Sequence, residues 1–292
     1  MASSSISQVL EQATQKISPF HGSARLDAEV LVAYALAYSR TQLYTWSDKV
    51  ISESEIEAID KLVNRRCGGE PVAYIVGSQE FWSLNFKVTS DTLIPRPETE
   101  LLVEFALDNM PVDRQFKILD LGTGTGAIAI TLAKERPKSQ VVAIDNSHAA
   151  LKVAIENAKI LDVSNIAFEH SNWFNSLGGG AFDMIISNPP YIEESDKHLC
   201  QGDVASEPRS ALVSGVDGLD DISKIIGQGK DFLRPGAILV FEHGWNQSGQ
   251  VRELFRNALY EEVSSYKDLA GIERITVAKN NKLMKESESK EK

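Results

Sequence analysis

Ile118-Leu-Asp-Leu-Gly122-Thr-Gly124-Thr-Gly126-Ala-Ile-Ala-Ile130 joins an apolar run of strand length to a helical run through three alternate glycines. A strand that passes through such a turn into a helix is the opening unit of a doubly wound α/β sheet. The glycines let the backbone approach a ligand, and the helix start offers unpaired N–H groups. Asp120 ends the strand just before the turn. Asp145 ends the next one, 145 − 124 = 21 residues after the middle glycine, where a carboxylate can accept two ribose hydroxyls. Two cofactors fit this loop. Gly122, Gly124 and Ala127 permit a dinucleotide reading, whereas Asp120 favours S-adenosylmethionine, which brings an ammonium group to pair.

Outward from this loop, strands are expected at Lys117–Leu121, Val141–Asp145, Ile166–Glu169, Phe182–Ser187, Ala237–Glu242, Glu262–Tyr266 and Arg274–Ala278. Helices are expected at Ala127–Glu135, Ala149–Leu161, Leu219–Leu233 and Ser248–Leu259. This alternation predicts a Rossmann-like, seven-stranded, mostly parallel sheet covered on both faces, with the last two strands as an edge hairpin. Residues 6–66 instead carry helical spacing, including a Ser52 cap with an acidic first turn. The stretch Ala73–Leu93 turns to period two and aromatics, which predicts a strand pair. The expected organisation is a helical substrate-recognition domain at 1–72, a β-hairpin linker at 73–95, a catalytic domain at 96–279 and a disordered tail at 280–292.

The chain has 292 residues, with 30 Lys+Arg against 41 Asp+Glu, so its formal charge is −11. That balance disfavours a protein that grips nucleic acid by its phosphates. Cys67 and Cys200 stand far apart and the five histidines lack ligand spacing, so neither a disulfide framework nor a metal site is expected. The first residues carry no signal-peptide pattern and no apolar run approaches a membrane span, which predicts a cytoplasmic protein without membrane contact. A monomer is expected.

Phe182-Asp-Met-Ile-Ile-Ser-Asn188-Pro189-Pro190-Tyr191 places a polar quartet just past a buried strand, where open parallel sheets bind ligands. A planar amide or aniline-type NH2 is a poor nucleophile because its lone pair is delocalised. The Asn188 side-chain carbonyl and the Pro189 backbone carbonyl can accept both of its N–H bonds, hold the nitrogen in line and stabilise the charge that grows on it. Proline adds no competing donor. Tyr191 offers a flat face to the planar target.

With Pro95-Arg-Pro-Glu-Thr-Glu, Leu119-Asp-Leu-Gly-Thr-Gly-Thr-Gly and Asn188-Pro-Pro-Tyr together, the chain closely resembles the PrmC/HemK protein-(glutamine-N5) methyltransferases of peptide chain release factors. The resemblance extends through Glu70-Pro-Val-Ala-Tyr-Ile-Val-Gly, Glu80-Phe-Trp-Ser-Leu-Asn-Phe, Glu207-Pro-Arg-Ser-Ala-Leu and Gly215-Val-Asp-Gly-Leu. It implies methyl transfer from S-adenosyl-L-methionine to the glutamine of a Gly-Gly-Gln loop. It further implies that Gly122, Thr123, Gly124, Thr125 and Gly126 line the methionine part of the donor and that Asp145 binds its ribose. By the same resemblance Trp173 lies beside the adenine, and Asn188, Pro189, Pro190 and Tyr191 hold the glutamine. Arg96 is expected near donor or substrate. Asn172 departs from the aspartate common in the family; its carbonyl still accepts from the adenine amino group, but its NH2 adds a donor.

The quartet alone is shared with adenine-N6 methyltransferases, which should carry a basic groove that this acidic chain lacks. A non-catalytic methyltransferase-like module need not retain Asp145 and Asn188, and a dehydrogenase has no use for Asn-Pro-Pro-Tyr.

Overall fold

Serines open three of the amino-terminal helices. Ser5, Ser39 and Ser52 each accept a bond from the backbone three residues on, while Gln8, Gln42 and Glu55 reach back to the serine N–H. The computed structural model describes residues 4–281, and over these the chain forms two units, Met1–Ser78 with Lys197–Glu207 and Gln79–Asp196 with Pro208–Lys292. In the first unit β1 (Ser4–Ser5) pairs antiparallel with β2 (Val50–Ile51). Helices α1 (Ile6–Ile17), α2 (Ala24–Leu36), α3 (Arg40–Thr45), α4 (Glu53–Cys67) and α5 (Val72–Val76) make up the rest of its amino-terminal part. Ile6, Leu10 and Ile17 of α1 meet Leu31 and Val32 of α2 and Ile59 and Val63 of α4 in one core.

Two expectations change here. Residues 73–76 are not strand. Pro71 gives an extended entry, Ala73 and Ile75 bury on one side, and Gly77 closes α5 with φ +73. Lys197–Glu207, expected inside the catalytic domain, joins the helical unit instead. Its tether is Arg66, 3% exposed, which ion-pairs with Asp27 at 2.7 Å and with Asp203 at 2.5 Å. A partner 137 residues away leaves no local sequence signal.

The second unit begins within a hairpin, β3 (Ser78–Phe81) and β4 (Leu84–Lys87), turned by Trp82 and Ser83 with φ 52 and 57. These positive angles match the right-handed twist of a two-residue hairpin. A 3-10 turn at Pro97–Thr99 leads into α6 (Glu100–Asn109). Then β5 (Lys117–Leu121), α7 (Ala127–Glu135), β6 (Gln140–Asp145), α8 (His148–Ile160), β7 (Ile166–His170) and β8 (Phe182–Ser187) alternate. After a 3-10 turn at Arg209–Ala211 come α9 (Asp220–Gly229), β9 (Leu233–Glu242), α10 (Ser248–Asn257), β10 (Glu261–Lys267) and β11 (Glu273–Lys279). The seven strands order as β10-β11-β9-β8-β5-β6-β7. Strands β5 to β9 run parallel, and β11 is antiparallel to β9 and β10.

Strict alternation sends Ile118, Met184 and Val240 to one core and Leu119, Ile185 and Leu239 to the other, so the sheet is buried on both faces. The helix expected to reach Leu233 stops at Gly229, because Leu233 already pairs with Phe182 in the sheet. Pro235-Gly236 then sits where the ladder shifts register. The expected tail falls outside the described residues except for Asn280 and Asn281. Asn280 is buried, with its side chain donating to the Leu233 carbonyl at 3.0 Å. Among the described residues no helix is long and apolar enough to cross a membrane.

Candidate active site

The chain runs from β5 outward through β6 to β7, then returns to place β8 on the other side of β5. The crevice at the carboxyl ends of β5 and β8 is therefore the topological switch point, where an open sheet leaves room for a ligand. Ser187 binds the two strand ends together, its hydroxyl donating to the Leu121 carbonyl at 2.7 Å. Above them lies a cavity of about 560 Å³, the size of a cofactor site.

The glycine loop forms one wall. Gly122, Gly124 and Gly126 have φ of 72, 56 and 83, in the left-handed region. A Cβ on Gly126 would also lie 2.6 Å from the Ile130 Cδ1, so this glycine allows α7 to start against its own first turn. The loop is tied down by Thr123 N–H to the Ile144 carbonyl at 2.8 Å and by Asn157, whose side chain donates to the Thr125 carbonyl at 2.9 Å. Asp145 is held ready: its two oxygens accept from the Gly124 and Ser147 N–H groups, each at 2.8 Å. Burial raises its carboxyl above the usual range, and those backbone N–H groups offset part of the rise.

Asp120 lies beneath the loop rather than on the cavity wall. It is fully buried, and neither carboxylate oxygen has a hydrogen-bond partner among the described residues. Burial pushes its carboxyl to about 7; the nearby Thr123 hydroxyl and Ala129 N–H offset part of the rise, and the Asp145 charge adds to it. Such a group is costly unless a cation arrives to compensate it.

Asn172 and Trp173 line the cavity after β7, with Ser171. Trp173 has φ 51, rare for a side chain of that size. Its indole N–H donates to Asp221 at 3.2 Å, and Asp221 in turn accepts from the Ser214 hydroxyl at 2.8 Å. A polar brace thus holds a planar apolar wall beside Gly122.

Asn188 and Pro190 face the same cavity from the end of β8. The Asn188 amide nitrogen donates to the Thr99 hydroxyl at 3.1 Å, and that hydroxyl donates to Glu242 Oε2 at 2.7 Å. The Tyr191 hydroxyl donates to Glu242 Oε1 at 3.0 Å. Glu242 is 2% exposed, and burial raises its carboxyl above the usual range.

The structure therefore gathers Gly122, Thr123, Gly124, Thr125, Asp145, Asn172, Trp173, Asn188 and Pro190 around one cavity. Gly126, Pro189, Tyr191 and Arg96 are not among its lining residues. Tyr191 is partly buried against the core on one face of the sheet, and its hydroxyl anchors the loop on Glu242. Arg96 is half-buried, and its charge bears on Tyr191. Sequence patterns do not single out Thr99, Asp221, Pro208, Ser210 and Ala211, which line the cavity, or Glu242, which supports it through Thr99. The nearest to a signal is at Glu242: a lone acid closing the apolar strand Ala237–Phe241 at the carboxyl edge of a parallel sheet. Among the described residues no group of three or more His, Cys, Asp or Glu is placed to hold a metal ion.

Residues 8–77 match the PrmC N-terminal domain and residues 98–215 the Methyltransferase small domain. The chain is 46% identical to the release factor glutamine methyltransferase of Salmonella typhimurium over 87% of its own length and 91% of that protein. It is 43% identical to that of Coxiella burnetii over 94% of its own length and 99% of the relative. A crystal structure of a methyltransferase from Pyrococcus furiosus shares the fold at a TM-score of 0.52 and 17% identity, covering 75% of this chain and 98% of that one. The chain belongs to the release factor glutamine methyltransferase family.

Proposed function

We propose that this protein transfers a methyl group from S-adenosyl-L-methionine to the side-chain nitrogen, N5, of the glutamine in the Gly-Gly-Gln motif of peptide chain release factors. The observation that carries the reading is the cavity itself. One wall is a glycine loop with a ribose-type carboxylate, and another holds Asn188 with its amide nitrogen already engaged by Thr99.

The residues fit the donor. Asp145, with each oxygen fixed by one backbone N–H, keeps lone pairs for two ribose hydroxyls. Asp120, buried beneath the loop with its carboxyl raised to about 7, would take up its negative charge once the donor's ammonium group is near. Trp173 offers a flat face for the adenine, and Asn172 a carbonyl for its amino group. Bound there, S-adenosylmethionine supplies an electrophilic methyl on a sulfonium.

On the acceptor side, Asn188 Oδ1 and the Pro189 carbonyl take the two N–H bonds of the glutamine amide. They orient the nitrogen and stabilise the positive charge that develops on it. No base acts before transfer, because the methylated nitrogen becomes acidic and loses its proton afterwards. A glutamate in the same place would set a carboxylate against two carbonyl acceptors, and a site built on hydrogen bonds rejects such an analogue by roughly 10⁴ or more.

The test is incubation with labelled donor and three acceptors: a release factor, its Gln→Glu variant in the Gly-Gly-Gln motif, and nucleic acid. Label on the first alone is expected. Label on nucleic acid, or equal label on the Gln→Glu variant, would overturn the assignment.

A further inference from the structure

Thr99 occupies the N-cap position of α6, where a threonine hydroxyl ordinarily accepts a bond from the first turn of its helix. It makes no such bond. The residue is 5% exposed, and its hydroxyl instead bridges Asn188 at the end of β8 and Glu242 at the end of β9. We propose that Glu242 acts through Thr99 to fix the polarity of the Asn188 amide, so that its carbonyl and not its NH2 faces the acceptor. Both are positioning residues that set the preference for an N–H-bearing substrate. The proposal rests on the assignment of Asn188 as the group that receives the acceptor amide.

An ionised carboxylate only accepts, and a hydroxyl has one proton to give. Glu242 Oε1 is taken by the Tyr191 hydroxyl, and Oε2 takes the Thr99 proton. With Glu242 ionised, the state that its two hydroxyl donors and the Arg274 charge favour against burial, the Thr99 oxygen is left as an acceptor and Asn188 meets it with Nδ2. An amide is planar, with nitrogen and oxygen on opposite arms, so committing the nitrogen to Thr99 sends Oδ1 away from it. No described residue donates to that oxygen, and Asn188 lines the cavity. A flipped amide would offer a donor where the substrate also brings donors, and would welcome a carboxylate instead. Burying a carboxylate is costly. Its use here is that no neutral side chain accepts on both sides. A glutamine at 242 has one oxygen for two hydroxyl donors and must present an N–H to either Thr99 or Tyr191.

Three variants test this: Thr99→Val, which keeps the shape and loses the hydroxyl, Thr99→Ser, which keeps the hydroxyl, and Glu242→Gln. Thr99→Val is expected to lower kcat on the glutamine acceptor by roughly 10–100-fold, the effect of one mis-set buried hydrogen bond. Donor Kd should stay unchanged, and preference over the Gln→Glu acceptor should narrow. Thr99→Ser should restore kcat to within a few-fold. Glu242→Gln should also lower kcat, but add little in the Thr99→Val background, since both act through one bond. Equal kcat for the Val and Ser variants, or losses that multiply in the double variant, would overturn the relay; the latter would place the effect of Glu242 in Tyr191.

A readout independent of turnover is the Asn188 side-chain NH2 in a nitrogen-15 NMR spectrum, assigned by its loss in Asn188→Ala. Its signals should move in Thr99→Val and stay in Thr99→Ser. Signals unmoved by Thr99→Val would overturn the relay whatever the substrate. Absent methylation by the wild-type protein, with these shifts seen, would overturn the acceptor assignment alone.

Discussion

Asp120→Asn isolates a buried carboxyl with no hydrogen-bond partner for either oxygen among the described residues. Burial lifts Asp120 from 3.8 to about 7. At about 1.36 kcal/mol per pK unit, ionising it inside the fold costs about 4 kcal/mol. The native state holds this proton more tightly than the unfolded chain, so the penalty is absent below about pH 4, grows between pH 4 and 7, and is complete above pH 7. The variant cannot ionise. Urea denaturation without donor should therefore show Asp120→Asn gaining on the wild type by up to about 4 kcal/mol as pH rises from 4 to 8. Any fixed cost of the new amide shifts both ends of that curve equally and leaves the slope intact. A cation beside the carboxylate reverses the preference, so donor binding near pH 6 should release a proton from the wild type. Calorimetry in buffers of different ionisation heat should detect the release, and Asp120→Asn should reduce it and weaken donor binding. A stability gap that is flat with pH, or proton release unchanged in the variant, would refute the reasoning.

Asn188→Ala should lower turnover by roughly 10²–10³, with donor affinity little changed, because it removes an acceptor that acts on developing charge; steady-state kinetics beside donor titration separates the two. Gly126→Ala should destabilise the fold by at least about 1–2 kcal/mol, the cost of a left-handed L-residue, and weaken donor binding, since the added Cβ also meets Ile130 at 2.6 Å. Urea denaturation and donor titration check both effects. Arg66→Ala leaves Asp27 and Asp203 without their common cation and should destabilise the helical unit by roughly 3–5 kcal/mol. Limited proteolysis should then cut within Lys197–Glu207 sooner than in the wild type.

The parallel sheet was legible because its evidence is local. Each strand is a short apolar run, each helix repeats near 3.6, and three glycines mark one turn that must come close to a ligand. The same locality exposed Asp145 and Asn188, which stand at strand ends where the chain itself announces a boundary. Capping serines such as Ser52 were legible for the same reason. Residues 73–76 misled because apolar and aromatic residues suit a strand or a short buried helix equally, and only Pro71 and Gly77 as end points decide.

What the sequence determined by itself was therefore the alternation of strands and helices in the sheet, the helical character of the amino-terminal unit, the glycine loop and the polar quartet, all patterns within a dozen residues of chain. What only the tertiary structure decided was how those residues are supported. Thr99 and Glu242 are 143 residues apart and Arg66 and Asp203 are 137 apart. Nothing in either local sequence fixes such a pairing, since a hydrogen bond or ion pair depends on distance in space, and distant positions meet only once the sheet has ordered its strands. The same holds for Asp120: its sequence position marks a strand end, but its burial, and with it the cost of its charge, exists only in the folded chain.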